Sequence, residues 1–176
     1  MNIYDIDTDS LRDIIPSLEC GDKVFLSGVV YTARDAAHKR LFELLDRGEA
    51  LPFEIKDAVI YYAGPTPVKD NGQIGSFGPT TSSRMDAFTP RLLDLGFAAM
   101  IGKGDRSPAV TDSIVKNKAV YFCAGGGLGA LISECIAECR EIAFGELGCE
   151  SIKKLSVKRL PLIVGVDCGG KSIFNR

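Results

Sequence analysis

An α/β domain with a mixed sheet flanked by helices is predicted by the order of apolar patterns along the chain. Through the middle, short runs rich in β-branched and aromatic residues alternate with stretches of helical period, as strands and helices do in α/β folds. Further strand-like runs stand near both ends, which makes the sheet mixed. The chain has 176 residues, 45% hydrophobic and 25% charged, enough for one domain with its own core. No repeat or low-complexity linker divides it, so residues 1–176 read as a single domain whose first 20 residues form a short strand or an arm.

"KVFLSGVVY" (Lys23–Tyr31), rich in β-branched and aromatic residues, reads as a strand. Thr32 then opens "TARDAAHKRLFELLDRGE", where Thr32 with Asp35 three residues later resembles a capping box. Ala37, Leu41 and Leu44 supply the apolar stripe of a helix. "AVIYYAG" (Ala58–Gly64) reads as a buried strand, and the turn-rich "PTPVKDNGQIGSFG" follows it. A helix is expected from about Ser82 to Leu95, with Met85, Phe88, Leu92 and Leu95 on one side, a kink at Pro90 and Gly96 at its C-terminal cap. "FAAMIG" is the next strand, and Ser107-Pro108 gives an N-cap hydroxyl followed by proline at the first helical position. "AVYFCA" is a strand, "GGGLGALISECIAECR" a glycine-rich turn into an amphipathic helix. "IKKLSVKRLPLIVGVDCGGKSIF" reads as strands, with "CGG" turning a hairpin.

Charge and composition exclude several classes of function. The net charge is −2 and the basic residues are spread along the chain, which argues against nucleic-acid binding. No apolar run approaches the roughly 20 residues that span a bilayer. The acidic start "MNIYDIDTDSLRD" has no apolar core of a secretory signal, so the expected location is the cytoplasm. Of the six cysteines none forms a CxxC pair, and His38 is the one histidine. Reduced thiols are therefore expected rather than a metal site made by this chain alone. Cys135 and Cys139 fall one turn apart on the predicted helix.

"GPTTSSRMD" (Gly78–Asp86) carries the strongest chemical signal. A helix N-terminus offers unpartnered N–H groups and partial positive charge. Thr80, Thr81, Ser82 and Ser83 add hydroxyls there, and Arg84 adds a planar fork suited to a carboxylate or phosphate. The sum is a small anion pocket; the plainer alternative is an ordinary N-cap with surplus surface hydroxyls. Arg34 and His38 lie on one helical face, and Lys103 stands between two glycines after a predicted strand. In open α/β sheets ligands collect beyond the carboxyl ends of strands, so Arg34, Arg84 and Lys103 together suggest a substrate with two negative ends. "GGGLGA" (Gly125–Ala130) fits a dinucleotide fingerprint with Glu150 as ribose contact, but only 46 residues follow it, too few for the later strands. "DIDTDS" (Asp5–Ser10) resembles a calcium loop without its central glycine and closing glutamate, and reads as a polar arm.

Taken in order, "TARDAAHKR", "IYYAGPTP", "GSFGPTTSSRMD", "IGKGDRS" and "ELGCESI" resemble the C-terminal domain of class I (iron–sulfur) fumarases and the similar β subunit of L(+)-tartrate dehydratases, from about Gly21 to Phe174. The resemblance implies a swivelling β/β/α domain and a hydro-lyase acting on a four-carbon dicarboxylate. It implies a [4Fe–4S] cluster carried by an α subunit or N-terminal part that this chain lacks, and an α2β2 assembly. Carried over to this sequence, it makes Arg34, Thr81, Arg84 and Lys103 substrate-binding, Thr80 a substrate contact and candidate for proton transfer, and Asp35 and His38 supporting or acid–base groups. Cys149 receives no role. Two other functions compete: a non-catalytic small-anion domain and a nucleotide-binding module.

Overall fold

The computed structural model describes residues 1–66 and 75–175. Seven strands are arranged in the order β1-β2-β3-β4-β5-β7-β6, and β2 also pairs with β7. The strands are β1 (Ile3–Asp7), β2 (Lys23–Thr32), β3 (Val59–Tyr61), β4 (Ala99–Gly102), β5 (Val120–Cys123), β6 (Ile136–Ala143) and β7 (Ile152–Val166). The extra pairing turns the expected open sheet into a closed five-strand barrel, β2-β3-β4-β5-β7. Four of its strands are parallel; β7 runs antiparallel to both β5 and β2. β1 adds to β2 in parallel and β6 to β7 antiparallel, so the sheet is mixed as expected.

Continuous apolar runs in β3, β4 and β5 fit strands buried on both faces. Val59, Tyr61, Ile101, Val120 and Phe122 join one core cluster with Leu26, Leu155 and Val164. Ile60, Tyr62, Met100 and Tyr121 face the opposite way, into a second cluster. That second layer is covered by α2 (Asp35–Asp46), α3 (Thr89–Asp94) and α4 (Pro108–Asn117) through Leu41, Leu92 and Val110. α1 (Leu11–Ile14) and α5 (Gly129–Glu134) complete the helices. The opening segment takes the strand form, not the arm: β1 pairs with β2, and Leu11 and Ile15 are fully buried.

Four local expectations are corrected. Thr32 does not cap α2; it ends β2 in the core, where its hydroxyl donates to the Ser151 carbonyl and accepts from Lys153 N–H. The helix expected from Ser82 to Leu95 is two pieces, a 3₁₀ turn at Ser82–Met85 and α3. Pro90 lies in the first turn of α3, where its missing donor costs nothing, so it starts a helix instead of kinking one. Leu95 is exposed, while Gly96 closes α3 with an N–H bond to the Leu93 carbonyl. The amphipathic helix expected after the glycine turn stops at Glu134; Cys135 caps it and Cys139 lies in β6, so these thiols are not helical neighbours. Partnership with β7 decides that segment over its helical period. The C-terminal run is one fifteen-residue strand, and after its turn only a Val166–Ser172 bridge forms. Residues 67–74 of the turn-rich segment lie outside the described residues.

Candidate functional site at the rim of the barrel

The four parallel barrel strands end in Thr32, Tyr61, Gly102 and Cys123, and the chemistry-bearing residues follow those ends. Arg34 is the extended residue before α2 and Asp35 is its first helical residue. The N-terminus of α2 is served from far along the chain: the Glu150 carboxylate accepts Ala36 N–H at 2.8 Å and lies 3.4 Å from Arg34 Nη2. A carboxylate there complements the helix dipole. Glu150 enters the site as a helix-capping and Arg34-holding group, a role its spacing from the glycine turn did not suggest.

Thr80 and Thr81 are placed by backbone bonds. Thr80 N–H donates to the Tyr62 carbonyl at 2.7 Å, and Lys103 N–H to the Thr80 carbonyl at 3.3 Å. Thr81 bridges Lys103 in parallel, and Ser82 N–H donates to the Lys103 carbonyl. The two segments therefore run side by side at the rim. Gly102 permits this approach, since a Cβ there would stand 2.9 Å from Tyr62 Cδ2 and would overlap Ser82 Oγ. Arg84 reaches across to α2, its Nε donating to Asp35 Oδ1 at 2.9 Å. Arg34 and Arg84 thus flank one carboxylate, Arg34 Nη2 standing 4.0 Å from Asp35 Oδ2. Arg34 Nε and Asp35 Oδ2 are buried with no hydrogen-bond partner among the described residues.

Three expectations about the site change. A four-residue 3₁₀ turn has no macrodipole to offer an anion, so the cationic and hydroxyl groups on offer here belong to side chains and not to a helix N-terminus. Ser82 is not among them: its buried hydroxyl bonds the Tyr121 hydroxyl at 2.8 Å. His38 is not a cation either. It is fully buried, and burial is the largest cause of a pKa lowered to about 4. Its Nδ1 lies 2.8 Å from the Arg34 carbonyl, which only accepts, so Nδ1 carries the proton. His38 therefore holds the backbone of Arg34.

Beneath the rim lies a group that sequence reasoning passed over within "GKGDRS". The Arg106 side chain is completely buried, with the Tyr62 and Tyr121 rings at 5.3 and 4.9 Å. It donates to Asp86 Oδ1 at 2.8 Å and to Thr89 Oγ1 at 2.8 Å, while the other Asp86 oxygen accepts Ser107 N–H. One ion pair thereby ties the loop after β4 to the block carrying Arg84. The signal was available as two opposite charges in adjacent loops, but their burial was not.

Three clefts are lined by described residues: about 420 Å³ beside Tyr31 and Lys56, about 310 Å³ beside Cys123 and Ile163, and about 240 Å³ beside Arg106 and Asn175. At the rim the charges of Arg34, Arg84, Asp35 and Glu150 converge. Among the described residues no three His, Cys, Asp or Glu side chains gather to hold a metal ion, and no helix is long and apolar enough to cross a membrane.

Residues 2–176 match the family described as Fumarase C-terminus. The chain belongs to that family. Among similar proteins in it are the aerobic class I fumarate hydratase of Salmonella typhimurium, 38% identical over 88% of this chain, and fumarate hydratase 2 of Leishmania major, 35% identical over 96%. The L(+)-tartrate dehydratase β subunit of Escherichia coli is 33% identical over 96% of this chain. This fumarase C-terminal chain spans 27% and 30% of the two fumarate hydratases, but 83% of the β subunit.

Proposed function

We propose that residues 1–176 act as one domain, the β subunit of an iron–sulfur-dependent hydro-lyase that adds or removes water on a four-carbon dicarboxylate. Fumarate/malate is the first candidate substrate and L(+)-tartrate the second. The observation that carries the reading is the rim: Arg34 and Arg84 flank Asp35, and Thr80, Thr81 and Lys103 line the adjoining segment. Forked guanidinium groups match carboxylates in two-point fashion, and the unpartnered Arg34 Nε is a donor held ready. Thr80 and Lys103, fixed by backbone bonds, supply a hydroxyl and an ammonium beside the same substrate. In this reading Asp35 orients Arg84 and Arg34, and His38 fixes the Arg34 backbone.

A reacting rim needs a covering surface to exclude water, and in this reading the α chain provides it. In this reading an α chain carries a [4Fe–4S] cluster, which when bound supplies Lewis-acid polarisation of the departing hydroxyl. The assembly is α2β2, in the cytoplasm, as expected of the family. In the swivelling arrangement the barrel presents this rim to the α chain.

The test is fumarate hydration under strict anaerobiosis, followed by loss of ultraviolet absorbance, with L(+)-tartrate in parallel. The chain is assayed alone and after reconstitution with the iron–sulfur α chain of the same organism. Turnover only in the reconstituted sample, with one substrate preferred, supports the reading. A complex with an intact cluster and no turnover on either substrate overturns it.

A further inference from the structure

β6 is an edge strand. Among the described residues it pairs with β7 alone, and residues 137–141 are exposed along it. Its sequence, "IAECREIA", has a charge symmetry about Cys139: Glu138 stands on one side and Arg140 on the other, with Ile136 and Ile142 further out. Suppose a second copy lies antiparallel with Cys139 facing Cys139. Glu138 of each copy then stands directly opposite Arg140 of the other, twice, and Ile136 opposite Ile142. Directly opposed residues share one sheet face with Cβ atoms about 5 Å apart. Moving the centre of symmetry one residue toward Arg140 sets Arg140 against Arg140, and one residue the other way sets Glu138 against Glu138, like charges in both cases. Of these three registers, the one centred on Cys139 sets opposite charges against each other.

The single chain leaves these charges unbalanced. Neither Glu138 nor Arg140 makes an ion pair among the described residues. Within the β6–β7 ladder Arg140 stands opposite Lys154, a like-charge pair that costs stability. Glu138 of a second copy would place a carboxylate beside that pair. The ladder is irregular between Ile136 and Glu138 and again between Glu141 and Ala143, so its regular part covers the central residues. Charges on an edge commonly prevent pairing when they are of one sign. Opposite signs placed symmetrically admit one register and penalise its neighbours.

We propose that β6 pairs antiparallel with β6 of a second copy of this chain, centred on Cys139, joining two seven-stranded sheets. This pairing is independent of the hydro-lyase reading. A strand edge this short gives a small contact, so the dimer dissociates in the micromolar range, about 1–100 µM.

The test is the mass of the full chain in solution by light scattering after size exclusion, under reducing conditions, across roughly 1–500 µM. Glu138→Arg and Arg140→Glu each set like charges against each other and raise the dissociation constant at least about tenfold. The double swap restores pairing, because each new arginine again faces a glutamate. These positions are exposed, and circular dichroism checks that each variant keeps its fold. As a second measurement, diamide oxidation in a Cys149→Ser background links two copies, because opposed Cα atoms at about 4.5–5.5 Å suit a disulfide; Cys139→Ser abolishes the link. A wild-type chain that stays monomeric throughout overturns the proposal. So do single reversals without effect, or a folded double swap that fails to dimerise.

Discussion

Thr80 is held by its main chain on both sides, N–H to Tyr62 and carbonyl to Lys103, so its hydroxyl has a fixed origin. If that hydroxyl takes part in proton transfer, Thr80→Val in the reconstituted enzyme keeps the shape and lowers kcat by about 100-fold or more. Unchanged turnover, read from the same absorbance assay, excludes Thr80 from the proton path. His38 makes a separate prediction about stability. Its folded pKa of about 4 lies below the ordinary 6.5. The unfolded chain therefore binds a proton that the folded chain refuses between those values, and stability falls as pH drops through that window. The loss amounts to about 3 kcal/mol by pH 4, at about 1.4 kcal/mol for each pH unit between the two values. Urea unfolding between pH 7 and 4 measures it, and His38→Gln removes this part of the slope. An identical slope in wild type and variant contradicts the buried, neutral assignment. That Arg34, Thr80, Arg84 and Lys103 come after strand ends was legible in the sequence, because hydroxyls and cations cluster after strand patterns. The neutrality of His38 was not, since it depends on burial against Tyr62 and Phe88 from distant segments.

Between elements, the Asp86–Arg106 pair joins the loop after β4 to the start of α3. Removing one partner of a buried pair leaves an uncompensated charge, so Asp86→Ala costs about 3–5 kcal/mol. Chemical denaturation tests this, and a loss below about 1 kcal/mol contradicts the role. The glycine turn before α5 has a similar packing task. A Cβ at Gly129 would stand 2.9 Å from Gly78 N and overlap Ser76 Oγ, so Gly129→Ala lowers Tm by displacing the segment that leads to Thr80. An unchanged Tm by calorimetry contradicts that close approach. These glycines looked like a nucleotide fingerprint in the sequence, because the spacing of a tight strand-to-helix turn is the same whether it cradles phosphate or packs a loop. Ser107-Pro108 was legible as a helix start because the capping chemistry is local: Ser107 accepts Val110 N–H in the structure. The split at Pro90 and the strand β6 were not legible, since each turns on what the segment packs against.

For the molecule as a whole, barrel closure depends on β7 pairing with β2, and their register joins Lys23 to Ile163 and Tyr31 to Lys154. No local pattern encodes contacts of that separation, so the sequence supports a mixed sheet but not its closure. Closure matters for function because it sets the ends of β2, β3, β4 and β5 on one rim. There Arg34 and Arg84 meet at Asp35, with Glu150 returning from beyond β6 to hold the first, while Lys103 lies on the segment beside Thr81. The central claim is that this rim grips a dicarboxylate through forked cations within an assembled enzyme. Its most direct test is kcat/KM for the preferred dicarboxylate in the reconstituted two-chain enzyme carrying Arg84→Lys, which keeps the charge and removes the fork. The account predicts a fall of about 10–100-fold with the two chains still associated. Full kcat/KM in that variant would contradict it.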